Sequence, residues 1–175
     1  MIQIEDKIIK ISVIGGSSCE IEVFDQAYEV GKEIAKNKAI LVCGGLSGVM
    51  EACCKGAKDA GGLTIGILPA DDENLANKYV DIKIPTGMGY ARNVLVVKTG
   101  HAIIAIDGSF GTLSEIGYAM SYNKPLIGLN TWKVKPYCDD SEHEPKIIYA
   151  ASPQEAVNIA IEKAKNVLGV TQDNK

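Results

Sequence analysis

The chain has 175 residues, 46% hydrophobic and 23% charged, with a formal net charge of −4. That is the size and composition of a single globular domain spanning 1–175 with a real core. The acidic balance argues against a nucleic-acid polymer, which calls for a basic footprint, and no window approaches the roughly 18 apolar residues of a membrane span.

The N-terminal stretch MIQIEDKIIK carries acids and lacks a long apolar run, so it does not read as a signal peptide. Residues 8–14 (IIKISVI) form a β-branched run that stops at Gly15-Gly16-Ser17-Ser18. Val23, Ala27, Val30 and Ile34 then recur at helical spacing over 23–36. AILVC (39–43) is a strand halted by Gly44-Gly45, and Ser47 reads as the N-cap of a helix to about Ala60. LTIGILP (63–69) and VDIKIP (80–85) are strands separated by a polar loop. YARNVLVVKTG (90–100) reads as a helix closed by Gly100. HAIIAI (101–106) is a strand, Thr112 to about Tyr122 a helix, and PLIGL (125–129) a strand. The polar stretch 130–146 is a loop and IIYA (147–150) a last strand. Ser152-Pro153-Gln154-Glu155 is a capping box opening a helix to about Leu168, and 169–175 is expected to fray.

Strand and helix alternate throughout, and the strands are apolar on both faces. That pattern predicts an α/β fold: one Rossmann-like, doubly wound parallel sheet flanked by helices. The five cysteines (Cys19, Cys43, Cys53, Cys54, Cys138) form no CxxC pair. They read as reduced thiols of a cytoplasmic protein, with Cys53 and Cys54 as small core residues.

Ligands of an open parallel sheet bind beyond the carboxyl ends of its strands. Three glycine-rich turns fall at that edge: Gly15–Ser18, Gly44–Gly48 and Gly108–Thr112. Glycine lets the backbone approach a ligand, and each following helix offers free N–H groups and a partial positive charge. One such turn carries little weight; three on one edge point to a phosphate or nucleotide site. Its candidate binding residues are Gly15, Gly16, Ser17, Gly44, Gly45, Gly108, Ser109, Phe110, Gly111 and Thr112. None of the turns is a GxGxxG or GxxxxGK[ST] motif, which argues against a dinucleotide fingerprint and a P-loop. Within the third turn, Thr112-Leu113-Ser114-Glu115 also has the [ST]xxE form of a capping box. On local pattern alone, capping is the better explanation of Thr112 and Glu115.

DGSFGTLSE (107–115) resembles the PGGxGTxxE signature of the LOG (LONELY GUY) family, the cytokinin-riboside-monophosphate phosphoribohydrolases, many of which were labelled lysine decarboxylases. GGSSCE, CGGLSGVMEACCKGA and GGLTIGILP resemble further family stretches in the same order, and GMGYARN stands where the family carries its arginine motif. The resemblance covers roughly residues 8–130. It implies Arg92 and Glu115 as catalytic residues and a homodimer or higher homo-oligomer. The departures are Asp107-Gly108-Ser109 for Pro-Gly-Gly, Asn93 for lysine, and Gly89-Tyr90 for methionine and histidine. They look like a distinct branch, related to the molybdenum cofactor carrier proteins.

Two functions follow from the resemblance. One is hydrolysis of the N-glycosidic bond of a nucleoside 5′-monophosphate, with Glu115 stabilising a positively charged ribose and Arg92 holding oxygens. The other is a carrier or sensor of a phosphorylated heterocycle, such as the pterin of the molybdenum cofactor, without turnover. No resident cofactor is expected. Decarboxylase chemistry lacks its Schiff-base lysine in these motifs. No metal site is expected either: Cys138, Asp139, Asp140, Glu142, His143 and Glu144 lack ligand spacing. His101 reads as a strand-start residue and Cys19 as a passive thiol.

Overall fold

The computed structural model describes residues 7–134 and 147–169. In chain order the elements are β1 (Lys10–Gly15), α1 (Ile21–Lys36), β2 (Ile40–Cys43), α2 (Val49–Asp59), β3 (Thr64–Leu68), β4 (Ile82–Pro85), α3 (Asn93–Thr99), β5 (Ala102–Ile106), α4 (Phe110–Ser121), β6 (Leu126–Leu129), β7 (Ile147–Tyr149) and α5 (Pro153–Leu168). The seven strands form one sheet in the order β4-β3-β2-β1-β5-β6-β7, and every pair is parallel. The expected α/β Rossmann-like fold is what forms.

Alternation along the strands explains their unbroken apolar runs. Ile11 and Val13 of β1, with Ile104 and Ile106 of β5, face α1, α2 and α5. Ile14, Ile103 and Ala105 face α3 and α4 on the other side. Both faces are covered, so the central strands are largely apolar, and the buried Ser12 of β1 is satisfied by donating to Val96 O at 2.7 Å. The edge strand β4 departs from this: all four of its residues are exposed.

The chain runs outward from β1 to β4, then crosses back to place β5 on the other side of β1. The topological switch therefore lies between β1 and β5, where a crevice opens at the carboxyl ends. Gly15 pairs in register with Ile106, so the first and third glycine turns leave the sheet side by side.

Several local expectations shift. Ser47 does not cap α2. The N-cap is Gly48, and the Ser47 hydroxyl donates to the Ser17 carbonyl at 2.7 Å. The stretch expected as one helix over 90–100 is a 3-10 turn at Gly89–Arg92 followed by α3. α4 begins at Phe110, two residues before the expected Thr112, with Ser109 as N-cap. Thr112 is then the third helical residue and Glu115 the sixth, so the capping box read there does not form. The second box does: Ser152 Oγ accepts from Glu155 N at 3.2 Å. Glu155 Oε2 reaches back to Ala151 N at 2.7 Å, one residue beyond the N-cap.

Candidate functional site

The three glycine turns converge on one cleft of about 700 Å³ at the β1/β5 switch. A backbone bond ties the first two together, since Val49 N at the head of α2 donates to Gly16 O at 3.0 Å. Of the residues singled out from sequence, Gly15, Ser17, Gly44, Arg92, Ser109, Phe110, Gly111, Thr112 and Glu115 line the cleft. Gly16, Gly45 and Gly108 do not; they stand behind its wall and shape the turns.

The head of α4 forms one side. Ser109 makes no side-chain cap, and the first helical bond runs from Leu113 N to Ser109 O at 3.0 Å. The N–H groups of Phe110, Gly111 and Thr112 precede that bond and have no partner within the helix. They give the start of α4 the donors and partial positive charge that suit an anion. Gly108 makes the approach to this helix possible. Its φ is 112°, and a Cβ there would run into the Thr112 side chain. Asp107 before it has φ 48°, a conformation closed to proline. The Pro-Gly-Gly of the resembled motif therefore cannot be restored on this backbone. The turn is held from outside its own sequence: Thr131 Oγ1 donates to Asp107 O at 2.6 Å and Trp132 Nε1 to Gly108 O at 3.1 Å.

Arg92 and Glu115 meet on the floor, each 6% exposed. Arg92 comes from the 3-10 turn before α3, and Glu115 from the second turn of α4. Arg92 Nη2 donates to Gly44 O at 3.2 Å, and its Nη1 donates to Asn93 Oδ1. The Arg92–Glu115 pair is long, 3.7 Å from Nη1 to Oε1. Arg92 Nε is buried with no hydrogen-bond partner among the described residues, an arrangement that ordinarily costs about 1–3 kcal/mol and more for a charged group. Gly44 leaves room for the guanidinium, since a Cβ on it would collide with Arg92 and stand 2.7 Å from Met50 Sδ.

Burial pushes the Glu115 carboxyl up to about 8, the nearby Arg92 charge opposing and the Cys43 sulfur adding to the rise. Burial also lowers Arg92, with Glu115 opposing. Both shifts have one cause: the cleft floor solvates ions poorly, and a 3.7 Å pair does not make up the loss.

Sequence reasoning missed two contributors, Asn93 and Tyr90. Asn93 is buried and acts as a hub: besides accepting from Arg92, its Nδ2 donates to Ser114 Oγ at 3.0 Å and contacts Gly111 O at 3.4 Å. It was visible only as a departure from the arginine motif. Tyr90 and Phe110 both line the cleft yet are 86% and 81% exposed, leaving two aromatic rings at its rim. The Phe110 ring lies 6.2 Å from that of Trp132. The weaker candidates hold little chemistry. Lys10 N donates to His101 Nδ1 at 3.1 Å, and burial lowers that imidazole. Burial and then Asp107 raise the Cys19 thiol. Cys138, Asp139, Asp140, Glu142, His143 and Glu144 lie outside the described residues. Among the described residues no helix is long and apolar enough to cross a membrane.

Comparison with known proteins agrees with this geometry. A cytokinin riboside 5′-monophosphate phosphoribohydrolase of Mycobacterium tuberculosis is 30% identical over 125 residues, 66% of this chain and 67% of that protein. The molybdenum cofactor binding protein of Rippkaea orientalis superposes with a TM-score of 0.76 at 34% identity, covering 94% of this chain and 99% of that one. The molybdenum cofactor carrier protein of Chlamydomonas reinhardtii gives 0.75 at 31%, covering 91% and 99%. The model of the SLOG cluster4 family matches residues 8–157, and the chain belongs to that family.

Proposed function

We propose that this protein binds a small phosphorylated heterocycle at the β1/β5 switch and carries it without turnover. The phosphate sits at the head of α4, against the N–H groups of Phe110, Gly111 and Thr112. One phosphate oxygen reaches the unpartnered Nε of Arg92. The flat ring lies at the rim between Tyr90 and Phe110, where aromatic faces favour stacking. The observation that carries this reading is the buried, under-bonded Arg92 beside an uncapped helix start in a cleft of about 700 Å³. The likeness to molybdenum cofactor binding proteins spans nearly the whole of each chain, which supports a phosphorylated pterin as cargo. Glu115 adds to the case. With its carboxyl pushed up to about 8, it is mostly protonated at neutral pH and poorly suited to stabilise a cationic ribose.

A second reading, hydrolysis of a nucleoside 5′-monophosphate to base and ribose 5-phosphate, is favoured by the Arg92–Glu115 pair and by the phosphoribohydrolase relatives. Incubation with AMP and other nucleoside monophosphates, with chromatography for free base, separates the two. Binding with no base released, and unaltered by Glu115→Gln, supports the carrier. Release that disappears in Glu115→Gln overturns it in favour of the hydrolase.

A further inference from the structure

Directly behind the cleft wall lies a group of side chains that the phosphate site does not use. Cys43 ends β2 and leads into the Gly44-Gly45 turn; Cys53 and Cys54 sit on the buried face of α2. Cys53 and Cys54 are the small core residues that the sequence predicts, and all three are fully buried. The fold, however, aims the three sulfurs at one another: their Sγ atoms all lie within 4.8 Å, with Cys43 and Cys54 at 3.4 Å. We propose that Cys43, Cys53 and Cys54 form a three-thiolate site for a soft monovalent cation, Cu(I).

The dimensions suit such an ion. A metal with sulfur bonds of about 2.3 Å in a trigonal plane holds its sulfurs roughly 4 Å apart, inside the range seen here. Ligand type selects the metal, because thiolates alone favour Cu(I) and zinc over harder ions. Coordination number then decides between those two. Among the described residues no fourth His, Cys, Asp or Glu joins the group, so the protein donor set is three sulfurs, which completes a three-coordinate Cu(I) shell and leaves a tetrahedral zinc shell one protein ligand short.

One backbone donor already points at the cluster: Gly45 N donates to Cys43 Sγ at 3.3 Å. The Arg92 guanidinium, bonded to the Gly44 carbonyl, places a positive charge beside a cluster that becomes anionic when loaded. Loading is a ligand exchange with no redox step: Cu(I) leaves a soluble thiol or chelator complex, three Cu–S bonds form, and the thiol protons pass to buffer. The Gly44 side of the cluster adjoins the open cleft, which supplies the path of entry.

The test titrates the full, reduced chain anaerobically into Cu(I) held by a coloured bicinchoninate complex. The expected result is withdrawal of one equivalent per chain, with X-ray absorption showing a single shell of three sulfurs. The double variant Cys19→Ser/Cys138→Ser should retain it. Outer-shell changes alone cost metal sites about 10–100-fold, so Cys43→Ala, Cys53→Ala and Cys54→Ala should each weaken binding by more than that. Thermal melts without metal confirm that each variant is folded, and Cys53→Ser serves if the alanine variant is not. The proposal is overturned by no withdrawal, by withdrawal that the three variants leave unchanged, or by mild oxidation giving a Cys43–Cys54 disulfide in a chain that takes up no metal.

Discussion

Glu115 offers the sharpest test of how the cleft floor works, through the pH dependence of stability. Its carboxyl is pushed from the ordinary 4.5 to about 8 by burial. The folded state therefore holds a proton that the unfolded chain releases above about pH 4.5, and between those values the unfolded state binds fewer protons. By linkage, stability falls as pH rises through this window and levels off above pH 8. Integrating between pH 5 and pH 9 gives a loss of about 4 kcal/mol from this one group. Glu115→Gln keeps the shape and polarity of the protonated side chain and removes the titration. The variant should match the wild type near pH 5 and exceed it by about 4 kcal/mol near pH 9. Urea unfolding of both proteins at intervals across that range reads the difference directly, and subtraction cancels every other titrating group. Parallel pH profiles would refute the reasoning. So would a variant that is less stable at all pH values, since that would mean an ionised Glu115 is already stabilised by Arg92.

Three further outcomes follow from the geometry. A Cβ on Gly111 meets nothing within 4 Å but projects at the head of α4 beside the cleft. Gly111→Ala should therefore hold or raise stability by up to about 1 kcal/mol while weakening phosphate-ligand binding more than about tenfold, as calorimetry would show. Asp107, in the turn that leads to the head of α4, has φ 48°, a conformation asparagine also tolerates. Asp107→Asn should tighten binding of a phosphorylated ligand by about 1 kcal/mol at low salt, an effect that fades as salt is added. Ser152 caps α5 far from the cleft, so Ser152→Ala should cost about 1 kcal/mol in denaturant unfolding and leave ligand affinity untouched.

The fold was legible because its signals are periodic and redundant. Apolar runs at strand length, each closed by glycine, alternate with helical spacing, and the sheet needs little else to be recognised. The site was legible as a set of turns but not as a geometry. The Thr112–Glu115 box failed because α4 starts two residues earlier, at Phe110, and this turns Glu115 inward. Nothing local marks that shift; it depends on a turn whose carbonyls are held by Thr131 and Trp132, more than twenty positions downstream. Asn93 could not be found for a similar reason, since its partners on α4 are about twenty residues away. The cysteine cluster is the clearest case. Cys53 and Cys54 adjoin in sequence, but only the packing of α2 onto β2 brings Cys43 to them.

The same floor bears on whether a bound phosphate is carried or cut. Arg92 is the cation that opposes the rise of Glu115, and its spare Nε is the donor assigned here to the ligand. A phosphate drawn to Arg92 competes with Glu115 for that charge and adds negative potential beside it. Both effects push the carboxyl further towards its protonated form. On the proposed reading, binding and the ionisation of Glu115 are therefore antagonistic, and loading the cleft moves it away from the state that glycosidic hydrolysis requires. A hydrolase would need the opposite coupling, with the developing ribose cation close enough to Glu115 to draw the proton off. The sign of the change is measurable: a carboxyl resonance at Glu115 that titrates at higher pH with inorganic phosphate bound supports the antagonism, and one that titrates at lower pH with phosphate bound overturns it.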